Sequence, residues 1–251
     1  MNIETLDLLR EALPYIQRFK GKTFVVKFSG KVTEEKATLI SLAEELALLH
    51  QVGIRVCVIH GGGKQLTELA KKLGVVQTVV EGRRVTDDDT LDLAKMIFRG
   101  KINTEILSAL RHRGVEAVGL SGIDGGVIKA VRRPPKEVVV DKATGETEEV
   151  DFGHVGDIVD VDVHLVNLLL DGGYLPVISS LGADDEGKIY NINADTIAAE
   201  IAVNLKAEKL LLLSDVNGIY ADPNDESTKI NRLTSEEAAA MITDGTATGG
   251  M

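Results

Sequence analysis

A chain of 251 residues, 44% hydrophobic and 27% charged, has enough apolar sequence for a large core and is no disordered tract. Its 28 basic residues stand against 39 acidic ones, and a net charge of −11 repels nucleic acid and other polyanions overall. Aromatic residues are only 4%, with no Trp, which weighs against a stacking platform for single-stranded nucleic acid. A single cysteine, Cys57, excludes a disulfide scaffold and a cysteine zinc cluster and suits a reducing compartment. No long apolar run marks a membrane span, and the first residues carry acids where a signal peptide carries bases, so a soluble cytoplasmic protein is expected.

Apolar positions Ile3, Leu6, Leu9, Leu13, Ile16 and Phe19 make a helical stripe, in which Pro14 predicts a kink or a two-part helix. This helix precedes the first strand, so its apolar face packs either on its own domain or on another subunit. The β-branched run 23–28 then predicts a strand, 34–50 a helix, 54–60 a strand and 64–73 a helix. Further strands are expected at 115–120, 174–180 and 209–214, with helical patterns at 88–99, 102–113, 162–171, 193–205 and 234–242. Continuous apolar strands alternating with helices predict an α/β fold, a mainly parallel sheet with helices on both faces. Residues 126–159 differ, reading as an antiparallel hairpin set with a polar tip. The chain stops at TATGGM, just after a helical pattern, and further sequence is expected to follow.

Two glycine-bearing turns, Lys27-Phe28-Ser29-Gly30-Lys31 and His60-Gly61-Gly62-Gly63-Lys64, come directly after predicted strands. At the carboxyl ends of parallel strands such turns aim backbone N–H groups and a helix N-terminus at an anion. One such turn alone is equally a tight connection. Two of them, each flanked by lysine in an acidic protein, point to phosphate. Gly21-Lys22-Thr23 is no P-loop, because position 16 is Ile and a strand follows; the glycines of 119–126 are misspaced for a dinucleotide fingerprint.

Lys27 ends an apolar strand, either in a structural ion pair or reaching a transferred phosphoryl group. Asn193 reads as a helix N-cap, with Asp195 favouring the helix dipole. Ser214-Asp215 and Asn217-Gly218 form a turn or a nucleotide-facing loop. Arg83-Arg84 are a solvated pair or an anion clamp. The five histidines lack paired metal spacing, so no metal site is expected. His60 reads as a positioner of its loop and Cys57 as packed in mid-strand.

Together these residues resemble the amino-acid kinase family, and within it the branch that phosphorylates N-acetyl-L-glutamate. The resemblance runs in order through FVVKFSG, HGGGKQ, GRRVTD, GKIN, VGLSGIDGG, FGHVGDI, GYLPVISSLG, NINAD and LLLSDVNGIY, which covers essentially the whole chain. It implies a three-layer αβα sandwich with a β-hairpin lid, and phosphoryl transfer from ATP with Mg2+ to the γ-carboxylate of N-acetyl-L-glutamate in arginine biosynthesis. Lys27 matches the family's first transition-state lysine, and Asp195 the aspartate that orients the catalytic lysines. Gly61 and Gly62 match the substrate turn, Arg84 the clamp on the substrate α-carboxylate, and Asn191 a further substrate contact. Gly30 matches the turn beside the phosphates; Asp215, Val216, Asn217, Gly218, Ile219 and Tyr220 match the segment near the nucleotide. The resemblance divides the chain into an N-terminal oligomerisation helix (1–20), an acetylglutamate lobe (21–185) and a nucleotide lobe (186–251). The first helix resembles that of arginine-inhibited members, which implies arginine as feedback ligand and a homo-oligomer, either a hexamer built as a trimer of dimers or a dimer. The sequence departs from the pattern in having Ser29-Gly30 where Gly-Gly is usual, and the family's second catalytic lysine is expected three residues past Gly250-Met251. The alternative is a non-catalytic, arginine-sensing amino-acid kinase domain of an N-acetylglutamate synthase. A third possibility is a relative acting on aspartate, glutamate or a carrier-bound acid, against which HGGGKQ and GRRVTD argue.

Overall fold

The helical stripe at the N-terminus forms α1 (Ile3–Phe19) as one continuous helix through Pro14. No helix boundary falls at Pro14, so the two-part alternative is not met. Residues 11–15 are exposed, so the carbonyl freed by the proline stays open to solvent rather than being buried without a partner. Phe19, at its end, packs edge-on against Phe24 with ring centroids 5.3 Å apart. The structure, a computed structural model, describes residues 3–80, 83–141, 146–214, 216, 218–222 and 225–243. Asp215, Asn217, Gly250 and Met251 lie outside the described residues.

Strand β1 (Thr23–Phe28) leads through a short 3-10 turn at Gly30–Thr33 into α2 (Lys36–Gln51). That turn delays the expected helix by two residues. Next come β2 (Arg55–His60), α3 (Gly63–Leu73), and a small antiparallel pair of β3 (Val79–Val80) with β4 (Arg83–Arg84). The patterns at 88–99 and 102–113 merge into one helical run: α4 (Asp88–Ala94), a π-helical segment (Lys95–Ile102) and α5 (Asn103–His112). Gly100-Lys101 reads locally as a break, but a π segment absorbs the extra residue and keeps Ile97, Phe98 and Ile102 buried.

After β5 (Ala117–Ser121) the chain builds a nested hairpin set. Strand β6 (Ile128–Arg132) and β7 (Lys136–Asp141) lead out, and β8 (Glu146–Val150) and β9 (Gly156–Val161) return. The inner pair is β7 with β8 and the outer pair β6 with β9, both antiparallel, as the sequence reading expects. Then follow α6 (His164–Asp171), β10 (Leu175–Ser179), β11 (Leu181–Ala183), β12 (Ile189–Asn191), α7 (Ala194–Asn204) and β13 (Lys209–Leu213).

The central sheet has five parallel strands in the order β13-β1-β2-β10-β5. Side-chain alternation assigns Phe24, Val26 and Phe28 to one face, in a cluster with Leu46, Leu66, Ile106 and Leu110 of α2, α3 and α5. Val25, Cys57 and Ile59 face the other side, in a cluster with Val166, Ile197 and Ile201 of α6 and α7. Helices on both faces of a parallel sheet make the three-layer α/β architecture. Cys57 is fully buried, and burial pushes its thiol up to about 12, as a packed and inert cysteine requires.

One apolar run behaves differently from its sequence. Residues 209–213 read as a buried strand, yet β13 is the outermost strand of the sheet, paired with β1 alone among the described residues, and Leu212 is 54% exposed.

The residues fall into two compact units, Met1–Leu213 and Ser214–Met251. The second contains the antiparallel pair β14 (Ile219–Tyr220) with β15 (Lys229–Ile230), and α8 (Ser235–Thr243). No helix among the described residues is long and apolar enough to cross a membrane.

Candidate active site

Because every strand of the central sheet is parallel, the residues that follow them emerge at one end. The turn after β1 (29–31), the turn after β2 (61–64), Ser180 after β10 and the N-terminus of α7 surround a cavity of about 530 Å3. Parity explains how Lys27 reaches it. Lys27 lies two residues beyond Val25, on the α7 face of the sheet and near the carboxyl end of β1. There its Nζ lies 2.6 Å from Asp195 Oδ1 in the first turn of α7, with Lys27 14% exposed and Asp195 53%. The costly charge at the end of an apolar strand thus has its partner, and both residues line the cavity. Asn193 caps α7 as read, its Oδ1 accepting from the N–H groups of Asp195 (2.7 Å) and Thr196 (3.1 Å).

The two glycine turns interlock. A Cβ on Gly30 would lie 2.8 Å from Gly62 Cα and closer still to the Gln65 amide. One on Gly62 would lie 2.5 Å from Ile102 Cδ1 and 2.6 Å from Phe98 Cδ1. Glycine is therefore required here by close approach rather than by torsion. Ser29, at φ −77° and ψ 158°, occupies a region open to any residue, so its departure from Gly-Gly costs no backbone strain and adds a hydroxyl to the cavity wall. Gly61 has room, with only Ala194 Cβ at 3.5 Å from a built Cβ.

Arg84 is held against the protein rather than solvated. Its Nη2 donates to Gly63 O (2.7 Å) and to Thr67 Oγ1 (2.6 Å), so the guanidinium is fixed against the second glycine turn. Its Nε is buried without a hydrogen-bond partner, and burial lowers its pKa from the usual value. A half-held arginine with an orphaned donor fits an incoming carboxylate or phosphate. Arg83 also lines the cavity. Lys64 is at the mouth, 2.5 Å from Glu34 Oε2, which raises its pKa.

Asn191 closes the opposite wall. Its Nδ2 donates to Thr86 Oγ1 (3.2 Å), and its backbone N–H to His154 O (2.8 Å). Thr86 also joins the return of the hairpin, accepting from His154 N–H at 2.7 Å while its own N–H donates to Phe152 O at 3.0 Å. Gly153 has φ +68°, and a Cβ there would meet Thr86 O at 2.3 Å. Phe152 and Val155 line the cavity beside Arg133, whose Nε and Nη2 both bond Asp157 Oδ1, at 2.9 and 2.6 Å.

The structure brings together Lys27, Asp195, Gly30, Gly61, Gly62, Arg84 and Asn191. Val216, Gly218, Ile219 and Tyr220 belong to the second unit, where Gly218 has φ +146° and Ile219-Tyr220 pair with Lys229-Ile230. Sequence reading missed Arg133 and Ser180 as cavity-lining residues and Thr86 as the buried partner of Asn191. Arg133 precedes Pro134-Pro135 at the base of the hairpin, a signal that was there to be used.

The sequence and the fold have counterparts in known proteins. A model of the amino acid kinase family matches residues 22–251. A protein of Methanocaldococcus jannaschii named acetylglutamate kinase is 45% identical over 249 residues, 99% of this chain and 82% of the relative. One of Methanothermobacter thermautotrophicus with the same name is 42% identical, over 99% of this chain and 85% of the relative. The solved N-acetylglutamate synthase from Neisseria gonorrhoeae, complexed with coenzyme A and N-acetyl-glutamate, matches with a TM-score of 0.76 and 30% identity over 95% of this chain; this chain spans 51% of the synthase chain. An ion-paired lysine beneath interlocked glycine turns is thus set in a chain that belongs to the amino acid kinase family.

Proposed function

We propose that the chain transfers the γ-phosphoryl group of ATP, bound with Mg2+, to the γ-carboxylate of N-acetyl-L-glutamate, giving an acyl phosphate and ADP. The observation that carries this is the Lys27–Asp195 pair at 2.6 Å in a cavity walled by the two glycine turns. The acetylglutamate kinase relatives supply the substrate. A carboxylate oxygen attacks the γ-phosphorus, the bond to the β-phosphate oxygen breaks, and the charge leaves on ADP.

Lys27 neutralises charge on the transferring phosphoryl oxygens, and Asp195 holds that ammonium in place. The turn at Gly30 and the lysines Lys31 and Lys64 suit a polyphosphate, whose Mg2+ supplies charge neutralisation when bound. Gly61, Gly62 and Asn191 hold the acid, with Arg84 forking its α-carboxylate. The hairpin of β7 and β8 acts as a lid over the acid. The segment from Asp215 to Tyr220 serves nucleotide recognition on the strength of the resemblance alone. Exposed Leu13 and Tyr15 on α1 suit an oligomerisation arm, and arginine a feedback ligand; sedimentation velocity of the full chain against Leu13→Glu, with and without arginine, tests both.

A coupled ADP assay over N-acetyl-L-glutamate, glutamate, aspartate and carbamate tests the central reading. Turnover confined to N-acetyl-L-glutamate supports it; turnover of another acid alone sinks it. The likeness to the Neisseria synthase, which is also solved in complex with coenzyme A and L-arginine, favours one second reading, an arginine-sensing domain. Calorimetry showing arginine binding without binding of an ATP analogue would favour that domain instead.

A further inference from the structure

Beneath the second glycine turn lies a buried polar cluster whose donors and acceptors are assigned by their neighbours. His60 ends β2 fully buried, and burial pushes its imidazole down to about 4, so the ring is neutral. Its Nδ1 lies 3.1 Å from Gly61 O, and its Nε2 lies 3.2 Å from Asn103 Nδ2. Asn103 is also fully buried. Its Nδ2 faces Val177 O at 3.0 Å and Leu120 O at 3.5 Å, whereas its Oδ1 accepts from Arg99 Nη1 at 3.4 Å. Carbonyls only accept and a guanidinium only donates, so the amide orientation follows from its neighbours. Asn103 therefore donates to His60 Nε2, and the ring's one proton sits on Nδ1, donated to the Gly61 carbonyl.

The cluster is built for this contact. Asn103 follows directly on the π-helical segment. Gly119 leaves it room, because a Cβ there would come within 1.9 Å of Asn103 Oδ1. Arg99 is tied in turn to Asp124, with Nε 3.7 Å from Oδ2, which also accepts from Ser121 N–H (2.6 Å) and Oγ–H (2.7 Å). A trans peptide sends its carbonyl and its N–H to opposite sides. Holding Gly61 O down on His60 turns the N–H of the same peptide unit, that of Gly62, away from the ring and toward the cavity.

We propose that Asn103 and His60 are positioning residues that set the Gly61–Gly62 peptide plane, so that the Gly62 N–H meets an anionic oxygen at the reacting end of the acid. This rests on the acid-kinase reading of the cavity. The π-helical segment ends directly before Asn103 and carries Arg99, whose Nη1 fixes the orientation of the Asn103 amide.

Two measurements on the full chain test it. Nitrogen-15 NMR of the wild-type imidazoles is expected to show His60 as the Nδ1–H tautomer; an Nε2–H tautomer overturns the relay. In kinetics, His60→Leu removes the donor to Gly61, and His60→Asn keeps an N–H near the Nδ1 position. The Leu variant is expected to lose roughly 10- to 100-fold in kcat, with KM for ATP within about twofold of wild type. The Asn variant is expected to recover most of that loss. Equal kcat in two folded variants would overturn the proposal. The tautomer is read without turnover, so its failure and a failure of the phosphoryl-transfer reading are told apart.

Discussion

The floor and the rim of the cavity are both rich in charge and glycine, but they are built differently. On the floor, Lys27 is 14% exposed against Asp195, Gly30 and Gly62 touch, and His60 and Asn103 are fully buried. At the rim, Lys64 meets Glu34 with the lysine 50% exposed. An ion pair in water contributes little and is screened by salt, whereas one at the end of a buried strand holds its geometry. On the proposed reaction, site chemistry belongs to the floor and the rim serves to attract the ligand.

Substitutions should separate the two regions. Lys27→Met is expected to lower kcat by about 10²- to 10³-fold with the fold intact by circular dichroism, the size of losing one fixed transition-state charge contact. Loss below threefold would place Lys27 with the rim.

The floor should also show itself in acid. A neutral buried His60, at about 4 instead of 6.5, contributes stability that is fully present above pH 6.5. The unfolded chain binds that proton first, so this stability falls as pH drops from 6.5 to 4 and is gone below. Denaturant unfolding of wild type should lose roughly 3 kcal/mol over that window relative to His60→Leu, where the slope should be flatter. Parallel curves would contradict a neutral buried ring.

Arg84 stands between the regions. Arg84→Ala is expected to raise KM for the acid about 10-fold or more while kcat falls less, because the guanidinium fork binds without reacting. Gly62→Ala should cost about 1–3 kcal/mol in unfolding free energy, as its Cβ drives into Ile102 and Phe98. Lys64→Ala should change kcat by less than about twofold, with an effect on KM for ATP that fades as salt is raised. A larger, salt-independent loss would mean that the rim takes part in the reaction.

Much of this floor was legible in sequence because it depends on local rules. Strand β1 is β-branched, the glycine turns follow their strands, and Asn193 precedes a helix that it caps. Period-two alternation even assigns Lys27 to the face of Val25. Long-range relations were not legible. TFVVKF and KLLLL read alike, and they pair in register from Phe24 with Lys209 to Phe28 with Leu213. Yet β1 is central and buried while β13 is peripheral and exposed, since burial depends on strand order rather than on composition. Asn103 was quoted only as part of GKIN. Its role depends on three strands brought together by the fold, reached through Leu120, Val177 and His60.

The central claim is that Lys27 and Asp195 act as one unit, and a double-mutant cycle tests it most directly. Steady-state kcat with N-acetyl-L-glutamate would be compared in wild type, Lys27→Ala, Asp195→Ala and the double variant. If Asp195 works by holding Lys27, the double variant should be no slower than Lys27→Ala within about threefold. Losses that multiply would contradict the account, because they would mean that the two residues contribute independently.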